Sequence, residues 1–332
     1  MKILVTGSAG FIGYHLVKSL LRNKNIKNNR ILSIDNFDNY YDKRIKLERI
    51  KNLNSKDFKF RINHKFKKID LKDKNKLDTE IRKFKPDIII HLAAQAGVRL
   101  SLINPYKYLD DNIKVFLNIL EISKKHKINK IIYASSSSVY GSIKNYPYSE
   151  KMIVNKPKQF YAVTKLTNEL MAQTYSDLYN LQIAGIRFFT VYGPYGRPDM
   201  AIYKFTENIL KGKKIDVFNN GNHYRDFTYI EDAILGINNI IKYILKKNTK
   251  HHQVFNIGNA RPIKLSLLIK KIEKILNKKA KIKFKPMQKG EVHKTFANTS
   301  KAKKYLKFKN KTDIDVGLNS FIKWYKSFHN LK

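Results

Sequence analysis

Residues 2–13 read "KILVTGSAGFIG", a run of β-formers that stops at a glycine and reopens as a helix. Gly7, Gly10 and Gly13 punctuate the turn, and "FIGYHLVKSLL" after it has helical periodicity. Glycines let a backbone turn tightly and approach a pyrophosphate, whose charge then sits at the helix N-terminus. Taken alone, the spacing also suits an ordinary strand–helix turn. The next strand, "RILSI" at 30–34, ends at Asp35, an acid placed to accept hydrogen bonds from an adenosine ribose and to repel a 2′-phosphate. The expected cofactor is therefore NAD, not NADP. Asp70, at the end of a third strand, is either an adenine-side contact or the cap of the next helix.

The alternation continues outward. "FKKID" at 66–70, "DIIIHL" at 87–92, "KIIYAS" at 130–135 and "LQIAGIRFF" at 181–189 read as strands. Most are continuous apolar runs, as parallel strands covered on both faces require. Helical periodicity lies between them at about 11–23, 41–54, 73–84, 105–125 and 159–180. The expected fold is α/β: a Rossmann doubly wound parallel sheet over 1–190, with a smaller C-terminal α/β substrate lobe over 191–332. Segments at about 229–258, containing the strand-like "QVFNIG", are expected to return to the first sheet. "YGPYGRPD" marks the break, followed by a helix from Met200, a strand "IDVF" and the polar loop "NNGNHYRD". Further helices are expected near 264–276 and 314–327, and "NKKAKIKFKP" reads as lysine-rich low complexity.

Bulk composition narrows the classes. The chain of 332 residues has 42% hydrophobic content and no cysteine, which fits a globular protein in a reducing, cytoplasmic compartment. The N-terminus reads as strand, turn and helix instead of a signal peptide, and no apolar run approaches a membrane span. The formal charge of +41 raises the possibility of a nucleic-acid partner. Only 11 of the 67 basic residues are arginine, however, and the lysines run from Lys2 to Lys332. Nucleic-acid readers concentrate arginine and aromatics, so this diffuse excess reads as solvated surface. The nine histidines are scattered without metal spacing, and no metal site is expected.

Tyr161 and Lys165 form a Tyr-x-x-x-Lys pair that stacks on one helix face. An ammonium beside a phenol favours phenolate and makes tyrosine a usable base. Upstream, "YASSSSVYG" (133–141) puts four serines at a strand end. With "TGSAGFIG", "HLAAQAGVR", "SSSSVYG", "YAVTK", "RFFTVYGPYGRPDM" and "RDFTYIED" in that order, the chain resembles the extended short-chain dehydrogenase/reductase superfamily along nearly its whole length. "IDNFDNYYD", "AAQAGVR" and "VYGPYGRPDM" are similar to its UDP-glucuronate 4-epimerases.

This resemblance implies a set of roles. Gly7, Gly10, Phe11, Ile12, Gly13, Asp35, Asn36, Asp70, Leu71, Ala93 and Lys165 would contact NAD. Tyr161 would take the proton of the sugar 4-hydroxyl, Lys165 would tune it, and Ser136 would supply the catalytic hydroxyl, giving a transient 4-keto sugar. Ser138 would touch the sugar, Thr190 and Arg197 its carboxylate, Arg225 the UDP pyrophosphate, and Arg99 the substrate side. Family dehydratases carry an Asp-Glu pair where Ser137 and Ser138 stand, so chemistry at C4 alone is implied. The usual Pro-Gly-Asp-Val-Pro stretch is replaced by "KGEVHKTFAN" (289–298), where Glu291 keeps a carboxylate for the ribose and His293 is a surface residue. Asn112 matches a superfamily asparagine near the tyrosine, and reads equally as a polar residue of its helix.

The leading expectation is UDP-hexuronate 4-epimerisation for a surface polysaccharide. The rivals are a 4-epimerase of UDP-glucose or a UDP-N-acetylhexosamine, and a non-catalytic dinucleotide-binding regulator. Apolar stripes on the helices near 105–125 and 159–180 exceed what one sheet face needs, and the resemblance implies a homodimer through them.

Overall fold

The computed structural model describes residues 1–22, 30–54, 63–246 and 251–331. Asn23, the last residue expected in its helix, and residues 247–250 of the segment expected to return to the sheet lie outside them. The strands are β1 (Lys2–Thr6), β2 (Arg30–Asp35), β3 (Asn63–Lys68), β4 (Ile88–His91), β5 (Lys130–Ser136) and β6 (Gln182–Phe188). There follow β7 (Thr190–Tyr192), β8 (Lys214–Phe218), β9 (Tyr224–Arg225), β10 (Phe227–Tyr229), β11 (His252–Ile257), β12 (Ile263–Lys264) and β13 (Lys281–Lys285). Seven make one parallel sheet in the order β11-β6-β5-β4-β1-β2-β3.

The apolar runs explain the layering. Ile3, Leu4 and Val5 of β1 are all fully buried. Alternate side chains leave opposite faces of a strand. Ile3 and Val5 accordingly join one core with the helices Phe11–Arg22 and Ile230–Ile244, while Leu4 joins another with Lys74–Phe84 and Val115–Lys125. Strand order runs outward in both directions from β1 and β4, so a crevice opens between their C-terminal ends, where open α/β sheets hold ligands. The first core continues without a break into the second lobe, through Ile202, Ile215, Leu268 and Phe321.

Three local expectations change. The helix expected over 105–125 is Pro105–Tyr108, a π-helical turn Leu109–Lys114, and Val115–Lys125. In the π-helical turn Asn112 is buried: its amide accepts from the Gln95 N–H at 2.8 Å and donates to the Gln95 carbonyl and Thr164 Oγ1. Such turns recur at functional sites. The lysine-rich stretch near 281–285 is β13, which pairs in parallel with β8. Its Lys-apolar alternation suits an edge strand, and its distant pairing partner cannot be read locally. Finally, β3 ends at Lys68 and leaves Asp70 in a loop, while the cap of the next helix is Asp73, which accepts from the Lys76 N–H.

Asp226 ties the second lobe together at the cleft. Its fully buried carboxylate accepts backbone N–H groups from Asn259 (2.7 Å), Ala260 (3.0 Å) and Ala297 (2.9 Å). Burial pushes the carboxyl up to about 6, against the pull of those three donors. Replacing it with alanine orphans all three. Asp226→Ala is expected to lower the unfolding free energy by at least about 3 kcal/mol, read as a shift of the urea midpoint at pH 7.

Candidate active site

One cavity of about 900 Å³ runs from the glycine turn after β1 to the Gly290–Val292 segment. At its first end the backbone is packed too closely for side chains. A Cβ on Gly7 would lie 2.6 Å from the Ala93 nitrogen, and one on Gly13 only 2.1 Å from the Gly7 carbonyl oxygen. Ser8 Oγ is buried there without a partner among the described residues. The Asp35 carboxylate accepts from the Ala9 N–H (3.0 Å) and the Phe37 N–H (2.8 Å), which fixes it to the glycine turn it faces. Phe11, Ile12, Asn36, Asp70, Leu71 and Ala93 line the same end.

Midway, the serine run, the tyrosine and the lysine converge. β5 ends at Ser136, and Ser137–Tyr140 turn away as a 3₁₀ helix whose first N–H groups Ser136 caps: its Oγ accepts from the Ser138 N–H at 3.1 Å and lies 3.2 Å from Ser138 Oγ. Tyr161 opens the helix Phe160–Tyr179. Burial raises the phenol's pKa, while hydrogen bonding with Ser136 and the Arg197 charge pull it back. Lys165, one turn on, donates to the Ala134 carbonyl at 2.9 Å, and burial lowers it to about 8. Its Nζ stands 5.9 Å from the Tyr161 ring centre. Arg197 adds a second cation to the one expected to tune Tyr161, and the Lys165 ammonium is tied to β5.

Thr190, Arg197 and Arg225 reach the cavity from the second half of the chain. Arg197 is gripped by Asp199, Nε to Oδ1 at 2.9 Å and Nη2 to Oδ2 at 2.5 Å, and the Tyr40 hydroxyl donates to the same carboxylate at 3.1 Å. Gly97 borders this group, because a Cβ there would meet the Tyr40 oxygen at 2.5 Å. At the far end Arg225 Nη1 donates to the carbonyls of Tyr224 and His293, both at 3.1 Å. Glu291 lies 3.4 Å from Arg99, 3.8 Å from Arg225 and 3.6 Å from His223 Nδ1. Among the described residues no group of His, Asp and Glu is arranged to hold a metal ion, and no helix is long and apolar enough to cross a membrane.

Residues 3–258 match the model of the NAD dependent epimerase/dehydratase family. The chain belongs to that family. NAD is its cofactor. An uncharacterized protein of Methanocaldococcus jannaschii is 48% identical over 97% of this chain and 95% of its own. UDP-glucuronate 4-epimerase 5 of Arabidopsis thaliana is 39% identical over 99% of this chain and 76% of its own. The crystal structure of UDP-glucuronic acid 4-epimerase from Bacillus cereus, in complex with UDP-glucuronic acid and NAD, superposes with a TM-score of 0.90. It is 35% identical and covers 99% of this chain and 100% of its own.

The first end of the cavity fits a dinucleotide: a side-chain-free turn at a helix N-terminus, an orphaned buried hydroxyl, and a carboxylate at the end of the second strand. Family-type reasoning from sequence missed three residues. Tyr40 and Asp199 hold Arg197 in place. Arg49, fully buried in the helix Lys43–Leu53, donates to the Ala9 carbonyl at 2.7 Å and the Tyr195 carbonyl at 2.6 Å, joining the glycine turn to the substrate-side turn. The helix also carries the exposed Arg44, so residue type alone does not single Arg49 out. Gly13→Ala must push the turn apart, and is expected to weaken NAD binding by at least about tenfold, measured by calorimetry on the purified variant.

Proposed function

We propose that this chain interconverts UDP-glucuronate and UDP-galacturonate. Its reaction class is NAD-dependent 4-epimerisation of a UDP-sugar, an isomerisation. The observation that supports the finer reading is that Arg197 and Tyr161 line the same cavity, with the Arg197 charge acting to lower the phenol's pKa. In a hexuronate the carboxylate is borne on C5, next to the carbon that inverts. A guanidinium that grips the carboxylate would then have to reach the same part of the cavity as the base that works at C4.

Tyr161 takes the 4-hydroxyl proton while Ser136 hydrogen-bonds the same oxygen, and both act from a buried wall of the cavity. NAD, when bound, supplies a reversible acceptor for the hydrogen and electron pair on C4. Lys165, mostly protonated at neutral pH despite its burial, holds positive charge on the cofactor side of Tyr161. The 4-keto sugar turns over in the cleft, so that C4 would regain its hydride on the opposite face while Tyr161 returns the proton to the 4-oxygen. Ser137 and Ser138 offer no carboxylate to remove the C5 proton, which keeps the elimination route closed. Leu117, Leu170 and Leu178 stay exposed on the helices Val115–Lys125 and Phe160–Tyr179. That face supports a homodimer through a four-helix bundle. A UDP-galacturonate product suits a cytoplasmic step supplying a surface polysaccharide.

Purified protein incubated with UDP-glucuronate is expected to yield UDP-galacturonate, followed by NMR beside UDP-glucose and UDP-N-acetylglucosamine. Faster turnover of a neutral sugar would overturn the substrate reading. Arg197→Ala is expected to raise KM for UDP-glucuronate about 10–100-fold and to leave the KM of a neutral UDP-sugar nearly unchanged. The base works deprotonated and the lost cation had lowered its pKa, so the rising limb of kcat against pH should move to higher pH in this variant.

A further inference from the structure

Tyr161, Lys165 and Glu169 follow one another at one-turn spacing on the helix Phe160–Tyr179, so all three face β5. Glu169 touches no reacting group. Its carboxylate is buried behind the serine run, where Oε1 accepts from Ser135 Oγ at 2.5 Å and from Arg187 Nε at 2.9 Å. Oε2 accepts from Arg187 Nη2 at 2.7 Å. Ser135 and Arg187 are register partners on β5 and β6, so one carboxylate pins a helix to two adjacent strands. The Arg187 guanidinium also lies over the Tyr140 ring, 4.8 Å from its centre, and the Tyr140 hydroxyl donates to Asn256 at 2.7 Å. Ser135 and Tyr140 are the two ends of the segment that presents Ser136 and Ser138. Both ends are thus anchored to a single buried ion pair.

We propose that Glu169 and Arg187 are positioning residues, which set the distance between Ser136 and Tyr161 by clamping the serine segment at both ends against the tyrosine helix. This rests on the reading that Ser136 and Tyr161 perform the chemistry. A bidentate pair is suited to the task because it fixes angle as well as distance, and its two side chains are almost wholly buried. The pair has no access to substrate, so loosening it should spare binding and damage the chemical step.

Three variants test this on the UDP-sugar that the wild type turns over fastest. Ser135→Ala removes one hydroxyl bond and leaves the ion pair, so it should fold. Glu169→Gln keeps the acceptor for Ser135 and weakens the hold on Arg187. Tyr161→Phe reports on the underlying reading. For the first two, kcat is expected to fall on the order of 10–100-fold, with KM and calorimetric NAD affinity changed less than about twofold. The rising limb of kcat against pH should also move to higher pH, because a displaced Ser136 no longer lowers the Tyr161 pKa. If Glu169→Gln does not fold, Ser135→Ala decides. An unchanged kcat and pH limb in the folded variants, or a rise in KM at constant kcat, overturns the positioning role. Retained activity in Tyr161→Phe instead overturns the reading beneath it.

Discussion

The site depends on how one helix lies along one strand. The face of Phe160–Tyr179 that carries Tyr161, Lys165 and Glu169 meets the last residues of β5, with Lys165 bonded to Ala134 and Glu169 to Ser135. Hydrophobic packing could not set this register alone, because the apolar partners, Phe116, Tyr133, Ala172 and Ile183, tolerate small slides. Directional bonds remove that freedom. Everything at the cleft inherits the result: the serine run turns where β5 ends, and the phenol faces it from the first turn of the helix.

Buried charge is arranged differently from charge on the surface. The chain's +41 comes mostly from dispersed lysine, whereas the arginines at 187, 197 and 225 are each within 4 Å of an acid. A buried guanidinium without a partner is costly, and planar forks pair well with carboxylates. Asp199 therefore occupies the Nε and Nη2 edge of Arg197 and moderates its charge. Under the proposed function, an arriving sugar carboxylate would meet a guanidinium fixed in direction and half-satisfied, which favours selectivity over brute affinity.

What could be read from the sequence was local. β1, the glycine turn and its helix, the continuous apolar strands and the Tyr161–Lys165 spacing all follow from short-range rules, and the sheet follows from their alternation. Long-range pairing was not readable. Lys281–Lys285 looks like solvated lysine until β8 is beside it, and Asn112 turns inward only because the chain widens into a π-helical turn. The grip of Tyr40 and Asp199 on Arg197 joins residues 159 positions apart, which no spacing announces. The arginines' positions in the chain were legible; their partners were not.

Glu291 shows how one added methylene redistributes a site. The stretch around it resembles a family segment with aspartate, whose expected work is at the ribose. In this fold the longer side chain reaches Arg99, Arg225 and His223 together. Burial holds His223 down at about 4, so it is neutral at pH 7 and adds no charge. Within this cluster the two guanidinium groups and the one carboxylate sum to a single positive charge. Under the proposed function, a diphosphate bound there would share these arginines with an anion already in place. Nucleotide binding at this end would then be weaker in charge terms than two free arginines suggest, and more dependent on the directions in which Glu291 holds them.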